Sequence, residues 1–230
     1  MKKLKFLFLL MFASVFVHAQ MSSYSYSSSV GTYTAISSGT DINTIEGDDV
    51  LSLKIPIGFS FNYSGSNYTN FRANSNGWIS LDTLITPSGF DQKTNNLSGN
   101  NSMRPIIAPL WDDLDGTTGE ASYKVTGSAP TRVLTIEWKN WEWNFQANGA
   151  VISFQIKLYE TTNNIEFVYD PESVNVSNAS ASVGITDTTS GSGNFISLSS
   201  LANTATVSTT AETSSINAKP VSGQSFLFTR

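Results

Sequence analysis

Three apolar runs with an alternating pattern, between residues 131 and 170, constrain the fold of this chain more than any other feature. In the middle run the apolar side chains occupy every second position, at Ile152, Phe154, Ile156 and Leu158. A period of two places such side chains on one face of a β-strand. Turn sequences separate the runs, at Asn148-Gly149 and from Thr161 to Asn164. The stretch therefore predicts a three-stranded antiparallel meander with one apolar face, which a second sheet must cover.

The rest of the chain has the same character, with short apolar runs between polar turns and no long helical spacing. Pro56 within an apolar run indicates an edge strand or a bulge. The run from Ile106 to Trp111 is apolar on both faces and predicts a buried strand, whereas residues 83–104 are polar and predict a long surface loop. We expect an all-β fold, an antiparallel β-sandwich of the jelly-roll type, as a single domain over residues 31–230. The serine-rich residues 20–30 are expected to be flexible.

Residues 1–19 have the layout of a secretory signal peptide. A basic start is followed by an apolar run from Phe6 to Val17, which is too short for a comfortable membrane span. The next residues, His18 and Ala19, complete a signal peptidase site and leave Gln20 as the new N-terminus. The alternatives are a buried N-terminal helix and an uncleaved anchor. No later stretch has the length of a transmembrane helix, so we expect a protein that is secreted or held at the outer cell surface, with no membrane span after cleavage.

Composition excludes several classes of site. When the signal segment is removed, the lysines at positions 2, 3 and 5 are lost with it. The chain then has 10 basic and 18 acidic residues, which gives a formal net charge of −8. The only histidine, His18, belongs to the signal segment, and the chain has no cysteine. The mature chain therefore cannot build Ser-His-Asp or Cys-His catalysis, nor a zinc, haem or iron–sulfur site that depends on His or Cys. Its acidic character argues against nucleic acid as the partner.

Three carboxylates, Asp112, Asp113 and Asp115, follow the buried run and precede Gly116. Calcium favours several oxygen ligands on a bent loop, so these residues are candidate calcium ligands, and Ca²⁺ is the one cofactor that the sequence suggests. The spacing does not match an EF-hand loop. The alternative, which this mismatch favours, is a solvated turn in which Asp side chains accept hydrogen bonds from nearby backbone amides.

Trp141 and Trp143 are the candidate ligand-binding residues. Trp138 shares the parity of the apolar positions and is expected in the core, while Trp141 and Trp143 have the opposite parity. On a straight strand both rings would face solvent and could form a platform for sugar stacking. The alternative is that a bulge or loop folds the rings under, since a bulge changes the parity of a strand.

Paired carboxylates raise the further alternative of a carbohydrate-active hydrolase. The sequence does not fix the separation of any pair, and charges on strand faces are commonly solvated or paired with lysine. We therefore expect no enzyme activity. The candidate carboxylates are Asp112, Asp113, Glu120, Glu137 and Glu142.

Several segments resemble a β-sandwich module of secreted Bacteroidetes proteins, which often stands ahead of fibronectin-type repeats and a sorting tag of the type IX secretion system. PIIAPLWDDLD also resembles a segment of nidogen-type extracellular domains. The resemblance implies a sandwich fold and an extracellular location, and it assigns no catalytic residue. The segments are GTYTAISSGT (31–40), IPIGFSFNYSGSNYTNFRANSNGWISL (55–81), PIIAPLWDDLDG (105–116), RVLTIEWKNW (132–141), FQIKLYETTNNIEFVYD (154–170) and SVGITD (182–187).

The sequence thus predicts a secreted, non-catalytic β-sandwich module that acts in extracellular or cell-surface interaction. Its expected partner is an extracellular glycan or a surface protein, with carbohydrate binding through the two tryptophans as the specific hypothesis. The alternatives are a purely structural spacer or adhesin domain, and the carbohydrate-active hydrolase.

Overall fold

The computed structural model describes residues 21–230, and its regular secondary structure is almost entirely antiparallel β-strand. The predicted signal segment, residues 1–19, lies outside the described residues. One short helix, α1 (Gly89–Lys93), and two 3₁₀ turns, Met21–Ser23 and Asn43–Ile45, interrupt the strands. In chain order the strands are β1 (Ser25–Val30), β2 (Thr40–Asp41), β3 (Ile55–Tyr63), β4 (Ser66–Asn74), β5 (Trp78–Ser80), β6 (Ile106–Trp111), β7 (Glu120–Thr126), β8 (Val133–Trp141), β9 (Ile152–Tyr159), β10 (Ile165–Pro171), β11 (Ser182–Thr186), β12 (Phe195–Leu198), β13 (Val207–Ser208) and β14 (Gln224–Thr229).

The strands form two seven-stranded sheets that pack face to face, so the predicted β-sandwich is confirmed. The first sheet has the order β1-β14-β10-β9-β8-β7-β2, and the second has the order β13-β12-β11-β6-β5-β4-β3. Their inner faces share one large apolar core. This burial stabilises the fold in a chain that has no disulfide.

The predicted meander is confirmed as β8, β9 and β10 at the centre of the first sheet. Ile136 lies opposite Ile156, which lies opposite Phe167 on the next strand. All three side chains are buried, so the alternating positions do face the second sheet. The β8–β9 connection, residues 142–151, is longer than the tight turn that Asn148-Gly149 predicted.

The second sheet also follows the expected pattern at two strands. Every residue of β6, Ile106–Trp111, is buried. At the sheet edge, the pairing of β3 with β4 shifts register between Pro56 and Phe61, as the proline indicated.

Two segments are more ordered than predicted. Residues 20–30 were expected to be flexible, but Ser25–Val30 forms β1 and pairs along its whole length with β14. Its alternation of Tyr and Ser places Tyr26 against Phe226 and Phe228. The predicted loop, residues 83–104, contains α1 and packs apolar side chains such as Leu97 into a second, smaller core.

Residues 32–39, here called the strap, cross the outer face of the first sheet. Beneath it lie Glu137 and Gln155, neighbours on β8 and β9, with 2% and 0% of their surface exposed. The Ile36 N–H and the Tyr33 hydroxyl donate hydrogen bonds to the Glu137 carboxylate. The strap therefore covers polar positions that the alternating pattern assigned to solvent.

Candidate functional site

Trp141 and Trp143 are both fully buried, so the prediction of an exposed aromatic platform is wrong. The ladder between β8 and β9 shifts register between Trp138 and Trp141, and Asn140 has a positive φ of 57°. This bulge changes the parity of the strand and turns the Trp141 ring inward. The alternative that a bulge folds the rings under is the one that the structure shows.

Both indole N–H groups are hydrogen-bonded inside the protein. Trp141 donates to the backbone oxygen of Ser75 at 2.8 Å, and Trp143 donates to Asp112 Oδ2 at 3.1 Å. The other three tryptophans donate to backbone oxygens in the same way. The tryptophans are therefore structural anchors at one end of the sandwich and offer no surface for sugar stacking.

The predicted calcium ligands Asp112, Asp113 and Asp115 do not converge on one point, which corrects that grouping. Asp112 is buried, and its carboxylate accepts hydrogen bonds from Trp143 and from the backbone N–H of Ser180. The Asp115 carboxylate accepts the backbone N–H of Thr117, as expected for a capped turn. Only Asp113 takes part in a cluster of carboxylates.

That cluster, here called the acidic tip, consists of Asp48, Asp49 and Asp113, whose oxygens lie within 4.8 Å of one another. The Lys93 ammonium lies 3.5 Å from both Asp49 and Asp113. Burial and the neighbouring carboxylates raise the pKa of Asp48, and burial raises the pKa of Asp113. The carboxylates of Asp113 and Asp49 in turn raise the pKa of Lys93. An ammonium therefore already supplies positive charge at the place where a cation would bind.

Calcium binding stays a hypothesis from the sequence, and the position of Lys93 argues against it at the acidic tip. We expect the melting temperature to be the same in chelator and in millimolar calcium, because the lysine already neutralises part of the tip. A rise in melting temperature with calcium, removed by Asp113→Asn, would contradict this and would show that the ion displaces Lys93.

A cavity of about 360 Å³ lies beside the strap and is here called the acidic cleft. Four carboxylates line it, from Asp41, Glu46, Glu120 and Glu137. Glu46 accepts a hydrogen bond from the backbone N–H of Ala121, and Glu137 is held by the strap. Glu120 has a lysine partner, since its carboxylate lies 2.9 Å from the Lys139 ammonium. The cleft is therefore polar, partly enclosed and strongly negative.

Two short segments, residues 41–49 and 112–120, supply all the carboxylates of the acidic cleft and the acidic tip except Glu137. Each contains four acidic residues and no lysine or arginine. The fold places them side by side: Asp48 bridges to Asp115, and the Gly116 N–H donates to the Gly47 oxygen. These two adjacent segments carry eight of the 18 acidic residues of the chain.

An apolar groove of about 370 Å³ adjoins the acidic cleft, with Asp41 and Asn43 lining both. Its walls include Ile55, Tyr123 and Leu53, and 77% of the surface of Leu53 is exposed. A negative pocket next to an apolar groove is suited to a partner that presents a basic side chain beside an apolar one.

The five candidate catalytic carboxylates are dispersed among different roles. Glu120 and Glu137 line the same cleft, while Asp112 is buried against Trp143 and Asp113 belongs to the acidic tip. Glu142 accepts a hydrogen bond from the Thr118 hydroxyl. One pair out of the five thus shares a cavity.

Sequence reasoning missed the contributions of Asp41, Glu46, Asp48 and Asp49. The signal was present in the density of acidic residues without any basic residue across segment 41–49. That signal does not show which second segment lies beside it, because the hydrogen bond between Ala121 and Glu46 joins residues 75 positions apart.

Among residues 21–230, no helix is long and apolar enough to cross a membrane. Searches of curated proteins and of solved structures found no match. A model of the NIDO-related family matches residues 23–230, which is nearly all of the sandwich. The similarity to nidogen-type domains therefore extends over both sheets, and the chain belongs to the NIDO-related family.

Proposed function

We propose that this protein is an exported, non-catalytic interaction module that binds a cationic protein partner through the acidic cleft. The proposal rests on one observation: four carboxylates from three separate parts of the chain, Asp41 and Glu46, Glu120, and Glu137, line a single cavity. Membership of the NIDO-related family supports an extracellular setting, and the start of the sequence supports export.

The electrostatics favour a basic partner. Carboxylates in a recessed, partly enclosed site focus the potential and raise the local concentration of cationic groups. Lys93 and Lys139 offset only part of the charge of this edge. A lysine or arginine side chain of a partner fits the cleft by charge, and an apolar neighbour fits the groove beside Leu53.

A protein partner is favoured over a glycan because the two tryptophans are buried. The glycan hypothesis depended on exposed rings at Trp141 and Trp143. The acidic cleft has no tryptophan or tyrosine in its lining, so a sugar ring would find no stacking surface there.

The proposal is tested by binding of the purified protein to oligolysine and oligoarginine peptides, beside neutral and acidic peptides of equal length. We expect binding of the basic peptides that weakens with salt. The variant Asp41→Asn/Glu120→Gln should weaken it about tenfold, since two charges at the cleft are lost.

The matched control, Asp82→Asn/Asp170→Asn, removes the same charge from other parts of the surface. Equal weakening by both variants would show non-specific attraction to an acidic protein and would contradict the proposal. Absence of binding by the folded wild type would contradict it as well.

One observation favours a second candidate function, hydrolysis of a glycan, because Glu120 and Glu137 line the same cavity. Against it, the strap donates hydrogen bonds to Glu137, and Lys139 is paired with Glu120. Release of reducing sugar from a polysaccharide panel, abolished by Glu120→Gln, would establish the enzyme. We expect no release from any member of the panel.

A further inference from the structure

Strand β1 leaves one edge of the first sheet open. All six of its residues pair with β14, and no other described strand lies on its far side. At a sheet edge, alternate residues direct their backbone N–H and C=O groups outward, ready to pair with another strand. Most of β1 is exposed to solvent.

Natural proteins protect open edges with charge, proline, bulges or short strands, and β1 has none of these devices. No charged residue and no proline occurs between residues 21 and 40. The register with β14 is regular throughout, without a bulge.

The other sheet edges of the sandwich are protected. Strands β2 and β13 have only two residues each. Strand β3 contains Pro56 and an irregular register. Its backbone is further occupied by side chains, since Arg132 donates to the Gly58 oxygen and Asn163 Oδ1 accepts from the Asn62 N–H. The open edge of β1 is therefore the exception among the described strands.

The charge distribution indicates what can approach this edge. The surrounding segments are also uncharged, since no Asp, Glu, Lys or Arg occurs in residues 188–211 or in residues 220–229. The Ser28 hydroxyl donates to Asn203 Oδ1 at 2.7 Å, which places Asn203 of segment 188–211 against β1. The acidic cleft lies at the opposite edge of the same sheet, where β7 and β2 pair.

A second copy of this chain fits such an edge. Residues 20–230 carry a net charge of −8, so two copies repel each other through their acidic edges, whereas their uncharged edges can approach. Two identical strands that pair antiparallel are self-complementary about a two-fold axis. Exposed apolar side chains belong to this side too, at Val30 on β1, Val207 on β13 and Val221 just before β14.

We propose that two copies of this protein associate through β1, antiparallel and about a two-fold axis, so that their first sheets join into one continuous sheet. A single strand pair with its flanking side chains buries less surface than a standard stable interface. The dimer is accordingly weak and reversible, and it leaves the acidic clefts free at the two outer ends.

Single-cysteine variants test this directly, because the natural chain contains no cysteine. Each residue of β1 is replaced in turn, from Ser25→Cys to Val30→Cys, and the proteins are oxidised singly and in pairwise mixtures. When two copies of β1 pair antiparallel about a two-fold axis, the two residue numbers of every facing pair add up to the same value. We expect disulfide-linked dimers only for those pairs of cysteine variants whose residue numbers add up to this one value.

The matched control is Ser60→Cys, an exposed serine on the edge strand β3. It should remain monomeric under the same oxidation. Crosslinking at every β1 position alike, or no more than for Ser60→Cys, would overturn the proposal.

A second measurement does not depend on crosslinking. In sedimentation equilibrium the wild-type protein should gain average mass with concentration, and Ser27→Lys should remain a monomer, because a charge at the centre of the edge opposes strand pairing. A wild type that stays monomeric at all concentrations would overturn the proposal.

Discussion

At the scale of single residues, Gly77 shows how closely the end of the sandwich is packed. It has a φ of +75°, and a Cβ built on it would lie 2.0 Å from the backbone oxygen of Leu110. The turn that it closes, Asn74 to Gly77, also supplies the backbone oxygens that accept the Trp138 and Trp141 indoles. Any side chain at residue 77 therefore displaces β6 or the tryptophans.

We predict that Gly77→Ala destabilises the protein by about 3 kcal/mol or more, measured by urea denaturation. The control is Gly191→Ala, which has a similar φ of +89° but open space around the added methyl group. It carries only the backbone strain, about 1 kcal/mol. Equal losses for the two variants would show that the collision with Leu110 is relieved at no cost.

Asn140 explains why the two tryptophans could not be placed from the sequence. Parity holds from Leu134 to Trp138, where the strand is regular, and it fails after the bulge. Asn tolerates a positive φ, but nothing in the sequence around Asn140 shows that it adopts one. The burial of Trp141 depends on space that Gly116 and Gly119 leave for its ring, and both glycines are distant in sequence.

At the scale of elements, the strap depends on one carboxylate. Glu137 accepts hydrogen bonds from the Ile36 N–H at 3.1 and 3.2 Å, from the Tyr33 hydroxyl and from Gln155 Nε2. Burial and the adjacent Glu137 raise the pKa of Tyr33, so that hydroxyl remains a donor. The strap in turn forms one wall of the acidic cleft through Ile36.

We predict that Glu137→Gln loosens the strap. The glutamine NH₂ group is a hydrogen-bond donor, and it would stand where a Glu137 oxygen now accepts hydrogen bonds. The expected cost is about 1–3 kcal/mol, with faster hydrogen exchange of the Ile36 amide. The control Glu120→Gln removes a carboxylate whose side chain is 70% exposed, and it should change stability by less than about 0.5 kcal/mol. An Ile36 amide as protected in Glu137→Gln as in the wild type would contradict this role.

The elements differ in how well the sequence predicts them. The meander β8-β9-β10 follows from alternation because its pairs are local and its inner face is apolar. The strap has no periodic pattern, and its hydrogen bonds reach residues about 100 positions away. The acidic cleft combines the strap with β2 and β7, so its existence depends on pairings that local patterns do not encode.

At the scale of the whole molecule, stability depends on buried tyrosines. Burial raises the pKa of Tyr24 to about 12 and raises the pKa of Tyr63 and Tyr169 well above the ordinary value. The Tyr63 hydroxyl donates to the backbone oxygen of Thr186 within the second sheet, and the Tyr169 hydroxyl of the first sheet donates to that of Pro109 in the second.

We predict that the free energy of unfolding falls as pH rises from about 10 towards 12. Over that range the unfolded chain has released phenolic protons that the folded protein keeps, so unfolding is favoured. Below about pH 9 these groups are protonated in both states and contribute no dependence. Denaturation midpoints measured across this range check the prediction, and Tyr24→Phe should reduce the loss. A constant midpoint up to pH 12 would contradict it.

Charge is distributed unevenly over the sandwich, with the acidic cleft at one edge of the first sheet and the uncharged strand β1 at the other. We expect a cationic partner to bind through the acidic cleft. The most direct test is an amide chemical-shift titration of the labelled protein with oligolysine. We expect the shifted resonances to cluster at residues 41–46 and 120–122. Shifts confined to other surfaces, or no shifts from the folded protein, would contradict it.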